Sequence, residues 1–353
     1  MTYLTNSWYV AAWAHEVTDE LFSRTLLGQP TLIYRKLDGE AVAIDDRCPH
    51  RFAPLSMGRL KGDNVQCGYH GLEFDGTGAC VANPHGKAIP SACHVRSYPL
   101  VERHGILWIW PGDVEQADEG LIPDFGYLEE AGRKTVHGGT HVKANYELIA
   151  DNLMDASHTQ YVHLDLLGTE AFAQSEHQVI QDGTSVHSNY IVPNSRVPEA
   201  YRAYFDDSVQ QVEYSVNFHW QPPGLVINRV SLTPVDLTKP AIHRTGTHLM
   251  TPETATTTHY HFAHTRNFQL DDLRVDARTR RWQKLGLTDQ DGPIIEACQA
   301  AMGDTTDIMS LRPALFAFDE AAVRVRRVLQ KLITAENGEK SHVAGAIAAV
   351  NAS

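Results

Sequence analysis

The sequence predicts an α+β protein: a small antiparallel β domain at the N-terminus, then a larger domain in which helices flank one curved antiparallel sheet. Three observations carry this reading. Residues 1–113 hold short apolar and aromatic runs separated by Asp/Gly/Pro turns. Residues 175–265 alternate apolar and polar side chains over several runs, the period-2 signal of half-buried strands. The segments 145–163, 270–302 and 318–334 show helical apolar spacing instead.

A chain of 353 residues is long enough for about two domains and a sizeable core. The net charge of −13 argues against nucleic acid and against an anionic membrane surface as partners. No run of about 18 apolar residues is present, so no membrane span is expected. The opening MTYLTNSWYVAAWAHEV lacks a basic n-region and its apolar run is broken by His15-Glu16, unlike a signal peptide. Five cysteines, three of them (Cys80, Cys93, Cys298) outside the motif described below, do not make a disulfide scaffold. A cytoplasmic location is the expectation.

In order, Trp8–Trp13 reads as a first strand, and Thr31–Tyr34 and Ala41–Ile44 as a hairpin around Leu37-Asp38-Gly39. The turn Phe74–Gly78 precedes a strand at Cys80–Ala82. Ile106–Trp110 closes the domain at Pro111-Gly112-Asp113. The acidic stretch 114–135 is expected to cross between domains, giving bounds of 1–113, 114–336 and a loose tail over 337–353. A strand at His137–Lys143 then leads into the helix 145–163. Strands are expected at Val212–Phe218, Leu225–Leu232, Ile242–Met250 and Thr257–Ala263, with turns at Pro222-Pro223-Gly224 and Thr251-Pro252-Glu253. Inward-facing candidates on this sheet are Trp220, Asn228, His248, His259 and His261. Asp291, before Gly292-Pro293, suits the N-cap of the helix Ile294–Met302.

The chemistry begins in DDRCPHRFAPLSMGRLKGDNVQCGYHGLEF. Sixteen residues separate Cys48-x-His50 from Cys67-x-x-His70. Each turn supplies one sulfur and one nitrogen. A cluster with Cys on one iron and His on the other needs that supply, and the imidazoles raise its potential. A Cys2His2 zinc site uses the same ligand types, but usually pairs Cys with Cys and His with His. The second stretch, NYELIADNLMDASHTQYVH, spaces Asn152, Asp155 and His158 three apart, on one face if the helix is regular. His158 and His163 are five apart, ~140° around a straight helix, so sharing one metal requires a break or a π-bulge between Ala156 and His163. Two histidines and one carboxylate with open positions opposite make a non-haem iron site able to bind dioxygen. The bland alternative for this stretch is a core helix with surface histidines.

Taken together, CPHRFAPLS, CGYHGLEFDGTG, ERHGILWIWPGD, NLMDASHTQYVH and GTHLMTPET resemble the oxygenase component of Rieske non-haem iron oxygenases, most closely the vanillate and dicamba O-demethylase group. The resemblance implies a Rieske domain joined to a helix-grip (START-like) catalytic domain in a homotrimer. It implies a [2Fe–2S] cluster on Cys48, His50, Cys67 and His70. It implies a mononuclear Fe(II) on His158, His163 and Asp291, with Asp289 as the fallback carboxylate, and O2 as co-substrate. Asp155 would bridge one subunit's cluster to the next subunit's iron, Asn152 would lie near the iron, and Asn228, His248 and Trp282 would contact substrate. No G-x-G-x-x-G follows a strand, so electrons are expected from a separate ferredoxin or NAD(P)H flavin reductase. The implied reaction is oxidative demethylation of a small, vanillate-like methoxy-aromatic, releasing formaldehyde. Ring or methyl hydroxylation, N-demethylation and pure electron transfer stay open.

Overall fold

The computed structural model describes residues 3–164, 166–236 and 239–351, with side chains to Gly338. The chain divides into two compact units, one of residues 5–125 and 251–254, the other of residues 1–4, 126–250 and 255–353.

The first unit is antiparallel β throughout. β1 (Tyr9–Trp13), β2 (Phe22–Leu26), β3 (Gln29–Arg35) and β4 (Ala41–Asp45) come first. The short strands β5 (Arg59–Lys61), β6 (Asn64–Gln66), β7 (Glu73–Phe74) and β8 (Cys80–Ala82) follow. β9 (Ser97–Tyr98), β10 (Leu100–Arg103) and β11 (Ile106–Ile109) complete it. They form three small sheets, in the orders β1-β11-β10, β2-β3-β4-β9 and β5-β6-β7-β8. The acidic stretch up to Phe125 packs here through indoles: Trp8 Nε1 donates to Asp118 O at 2.8 Å, and Trp108 stacks on Phe125 at 5.7 Å.

The second unit is built on a seven-stranded antiparallel sheet. Its strands are β12 (Lys134–Val142), β13 (Glu176–Asp182), β14 (Ser185–Arg196), β15 (Gln211–Gln221), β16 (Leu225–Pro234), β17 (Ile242–Thr254) and β18 (Thr257–Arg266). Their spatial order is β12-β18-β17-β16-β15-β14-β13. Alternation sends one set of side chains, including Tyr190, Tyr214, Phe218, Trp220, Val226, Val230, Tyr260 and Phe262, into a core shared with the helices. Those helices are α1 (Tyr146–Met154), α2 (Thr159–Val162), α3 (Glu199–Arg202), α4 (Leu273–Gln283), α5 (Gly292–Met302) and α6 (Glu320–Asn351). α6 is clamped to α1 by Arg326, whose guanidinium reaches Asp151 at 2.6 Å and Glu147 at 3.0 Å.

Four local expectations are corrected. Thr251-Pro252-Glu253 continues β17, and the hairpin turns two residues later, at Ala255-Thr256. The closing helix does not stop near 334 but runs to Asn351, because residues 335–351 include five alanines, the strongest helix former, despite Gly338 and Gly345. Asp291 does not cap a helix. It is αR with no capping bond, inside a continuous helix in which α4 passes through a π segment, Lys284–Asp291, into α5. His259 and His261 sit out of phase with Tyr260 and Phe262, so they leave the sheet on the face opposite the helices.

Candidate functional site

Two groups of metal-binding side chains are assembled, one in each unit. In the first, Cys48 lies in the loop after β4 and Cys67 in the loop after β6, both buried. Each loop closes on itself with matching bonds: Phe52 N donates to Cys48 O at 2.9 Å, and Gly71 N to Cys67 O at 3.0 Å. Gly71 holds φ +74°, a conformation costly for residues with a Cβ, which explains glycine directly after His70. The His50 and His70 rings meet edge to face, centroids 4.5 Å apart. Burial, then the neighbouring Cys67 thiol, pushes the Cys48 thiol up to about 11 against its backbone hydrogen bonds. A buried thiol so disfavoured as a thiolate, with a second buried cysteine beside it, suits a site where metal supplies the compensating charge. His70 Nδ1 is buried with no hydrogen-bond partner, as a ligating nitrogen would be in a metal-free chain. The four donors do not gather round one point: among the described residues, the only three or more His, Cys, Asp or Glu ligand atoms that do are those of His158, His163 and Asp291. A single tetrahedral zinc is therefore a poor fit, and a two-metal cluster a good one.

The second group forms where a broken helix faces a widened one. α1 stops at Met154 because Asp155 is extended, at φ −115° and ψ 101°. A 3-10 turn, Ala156–His158, follows, then the short α2, and His163 leaves the helix at φ −115° and ψ 35°. Asn152, Asp155 and His158 thus do not share one regular helix face. The break begins at Asp155 and continues through the 3-10 turn inside the expected interval, and it brings the two imidazoles to 5.3 Å between centroids. No π-bulge is needed there. The π segment lies instead across the site, where it presents Asp291. His163 Nε2 is 3.1 Å and His158 Nε2 3.5 Å from Asp291 Oδ1. All three ligand atoms lie within 4.8 Å of one another.

Each imidazole is fixed from behind. His158 Nδ1 bonds Asp155 O at 2.5 Å and His163 Nδ1 bonds Gln290 Oε1 at 2.7 Å. Both acceptors are oxygens, so Nδ1 of each ring donates, and Nε2 is the nitrogen each ring turns toward Asp291. Burial lowers the His163 pKa most, but Asp291's hydrogen bond and charge, with Gln290, outweigh it and leave it raised. Asn152 Nδ2 donates to Asp291 Oδ1 at 3.3 Å. Asp289 points elsewhere, paired with Lys284 at 2.6 Å. Gln290 escaped the sequence reading because a lone Gln carries no motif.

The inner face of the sheet continues the site. Antiparallel register sets Asn228 opposite Gly246 and Val226 opposite His248. A Cβ at position 246 would collide with Asn228 Oδ1 and press on His248 Nε2 at 3.0 Å, so glycine keeps a notch between them. Asn228 Oδ1, His248 Nε2 and Trp282 Nε1 are buried and find no partner among the described residues. His248 Nδ1 is held by Tyr260 Oη at 2.6 Å, and burial drives its pKa down to about 3 despite the Asp291 charge, so the ring is neutral. His264, absent from the sequence-based candidates, stands on the same face against Trp282 at 4.6 Å.

Asp155 behaves differently from its expectation within the chain. Its main-chain oxygen, not its carboxylate, receives His158. The carboxylate accepts from Ser157 N at 2.8 Å and from Ser157 Oγ at 3.0 Å, with Tyr190 Oη at 3.5 Å.

Comparison with known proteins fits this geometry. Residues 7–99 match the Rieske [2Fe–2S] domain, and residues 142–335 match the vanillate O-demethylase oxygenase C-terminal domain. The dicamba O-demethylase oxygenase component of Stenotrophomonas maltophilia is 41% identical over 334 residues, 94% of this chain and 98% of that protein. A vanillate O-demethylase oxygenase subunit from Pseudomonas sp. strain HR199 is 29% identical over 94% of this chain and 95% of its own. The crystal structure of dicamba monooxygenase bound to 3,6-dichlorosalicylic acid superposes with a TM-score of 0.89 at 40% identity, covering 96% of this chain and 99% of that one. With one relative matched nearly end to end and the C-terminal family covering more than half its length, the chain belongs to the family of Rieske oxygenase components typified by the vanillate and dicamba O-demethylases.

Proposed function

We propose that this protein is the terminal oxygenase of an aromatic O-demethylase system. The observation that carries the reading is the convergence of His158, His163 and Asp291. In this reading those three residues hold a mononuclear Fe(II), and Cys48, His50, Cys67 and His70 hold a [2Fe–2S] cluster. When bound, the iron supplies a site for dioxygen activation and the cluster supplies single electrons. A pure electron carrier has no use for a second group of two histidines and a carboxylate, two of the three buried, and this disfavours it.

The chain's own residues do the positioning. Asp155 O and Gln290 Oε1 accept from the two Nδ1 atoms, so each ring is oriented with Nε2 toward Asp291, where it can ligate a metal. Asn228 and His248 offer polar atoms to substrate, and Trp282 a wall. Gly246 leaves the space they need. The methoxy carbon gains one oxygen atom from O2; the other leaves as water with two electrons and two protons. The resulting hemiacetal breaks its C–O bond to give a phenol and formaldehyde. The electrons come from a separate ferredoxin or flavin reductase, since the sequence has no nucleotide-binding fingerprint. A homotrimer is part of the proposal, as is a cytoplasmic setting. Large exposed apolar side chains support the former: Phe52, Met57 and Tyr69 in the first unit, and Tyr161, Leu164 and Phe316 in the second. Among the described residues no helix is long and apolar enough to cross a membrane.

The deciding experiment supplies purified protein with a surrogate reductase and a panel of methoxy-aromatics. Formaldehyde release matched to oxygen uptake is expected. Hydroxylated product that keeps its methoxy carbon would move the assignment to ring or methyl hydroxylation. A second test concerns Gln290→Leu. It leaves all three proposed iron ligands in place but removes the acceptor that fixes His163, so iron affinity should fall about 10- to 100-fold with cluster absorbance unchanged. Equal affinity in a metal titration would remove Gln290 from the site.

A further inference from the structure

Cys80 and Cys93 belong to neither metal group, yet the fold sets them face to face. Ala79 pairs with His94 in an isolated antiparallel bridge, and Val95 N donates to Gly78 O at 2.9 Å. The two backbones are pressed together there, since a Cβ on Gly78 would lie 2.0 Å from Val95 O. One residue further along each side, Cys80 stands opposite Cys93. Opposite residues of an antiparallel pair have Cα atoms about 4.5–5.5 Å apart, inside the ~4.4–6.8 Å that a disulfide spans. The side chains meet as this register requires, with the Cys80 thiol in hydrogen-bonding contact with Cys93. Both are free thiols, only half-buried, and both line a cavity of about 550 Å³ whose walls include His50 and His70.

The segment between the two cysteines lies against the loop that carries His70. His85 Nε2 bonds His70 O at 3.0 Å, and a Cβ on Gly71 would meet Pro84 Cγ at 3.2 Å. Asn83 Nδ2 donates to Ala88 O at 2.9 Å and folds the segment on itself. Little else anchors it, because residues 84–92 are all exposed. Segments with so few buried contacts open locally at low cost. A bond between Cys80 and Cys93 would close a ring around this one and take away most of its freedom to open.

We infer that Cys80 and Cys93 are a peroxide-oxidisable pair whose disulfide fastens residues 81–92 over the His70 side of the cluster site. One sulfur attacks hydrogen peroxide, the O–O bond breaks, water leaves and a sulfenic acid remains. The neighbouring sulfur attacks that sulfur, the S–O bond breaks, and a second water carries off the last thiol proton. Two thiols have lost two electrons and two protons, and peroxide has taken them up. A dithiol reductant returns the pair to thiols by exchange. In a chain without a disulfide scaffold the bond is a transient one. Hydrogen peroxide is what dioxygen becomes on taking two electrons and two protons without oxidising substrate. Its local source therefore rests on the oxygenase reading, whereas the chemistry of the pair does not.

The test treats the holoenzyme with hydrogen peroxide in small molar excess, without substrate or reductase, then blocks the remaining thiols and digests with trypsin. Cleavage after Lys87 puts the two cysteines on different peptides, residues 62–87 and 88–96. These should be recovered joined, and should separate with dithiothreitol. The first peptide also holds Cys67, so Cys80→Ser identifies the partner. It should abolish the joined product, as should Cys93→Ser. Visible absorbance establishes that both variants carry their cluster. In the oxidised wild-type chain, release of cluster iron to a chelator should slow at least about threefold, because the ring restrains local opening. Neither variant should show that slowing. The peroxide is added, so the result does not depend on whether the chain oxidises any substrate. Separate peptides after peroxide treatment, a joined product that persists in Cys80→Ser, or iron release unchanged by the cross-link would overturn the inference.

Discussion

Asp291→Ala should leave a folded, coloured protein that does not turn over. Metal content is expected to drop from about three irons per chain to about two, the two of the cluster. Turnover should fall at least about 100-fold, beyond the usual cost of disturbing groups behind a metal ligand. The physical grounds are local. Among the described residues, Asp291 supplies the only carboxylate oxygen that both imidazoles approach, at 3.1 Å and 3.5 Å. It lies mid-helix, at φ −68° and ψ −47°, where alanine is the most favourable replacement. The variant therefore removes a ligand without asking the backbone to move. Asp289→Ala is the matched control, because that side chain is half-exposed and paired with Lys284. Iron analysis, visible absorbance and product formation read the two variants side by side. Full iron occupancy in Asp291→Ala would sink the assignment of the third ligand.

The features legible from sequence were those whose partners lie close along the chain. Cys48 and His50, or Cys67 and His70, are each delivered by one tight loop, so spacing alone describes them. The seven-stranded sheet was visible because alternation survives in β15 and in the second half of β16. Interactions across distant segments were less visible. The helix break had to exist for His158 and His163 to meet, but sequence did not place it at Asp155, where a side chain that bonds the following N–H groups ends α1 early. The π segment has no marker in KLGLTDQD. Its Asp291 looked like a cap because Gly292 and Pro293 follow it, a pattern that fits a helix start equally well. His264 sits in strand β18, which is buried along most of its length, so no alternation distinguished the pocket face from the other. His259 and His261 were misplaced for the same reason.

The second large effect concerns a residue that binds no metal in this reading. Asp155→Asn preserves the atoms that shape the loop. The amide oxygen still accepts from Ser157 N, the main-chain oxygen still receives His158 Nδ1, and the 3-10 turn keeps its start. Iron and cluster should both be retained, and stability should hardly change. What is lost is the negative charge. Asp155 is half-buried, beside His158 and at the edge of an open cavity lined by Asn152, Ile294, Met309 and Leu315. If the proposed trimer forms, that cavity would receive the cluster-bearing loops of a neighbouring subunit, and the carboxylate would accept a hydrogen bond from one of the neighbour's cluster histidines. An amide can offer only one acceptor oxygen where the carboxylate offers two, and both carboxylate oxygens already take Ser157 bonds, so the shared acceptor is the first contact to go. Electron transfer across the interface, not oxygen chemistry, is the step that suffers. Steady-state turnover should fall at least about 100-fold, the upper end for a carboxylate standing behind metal-bound histidines. In stopped-flow measurements the cluster should still be reduced at the wild-type rate by the reductase, but should pass its electron on slowly when substrate and oxygen are present. Wild-type reoxidation of the cluster in Asp155→Asn would mean that the carboxylate merely ends α1 and takes no part in the path between centres.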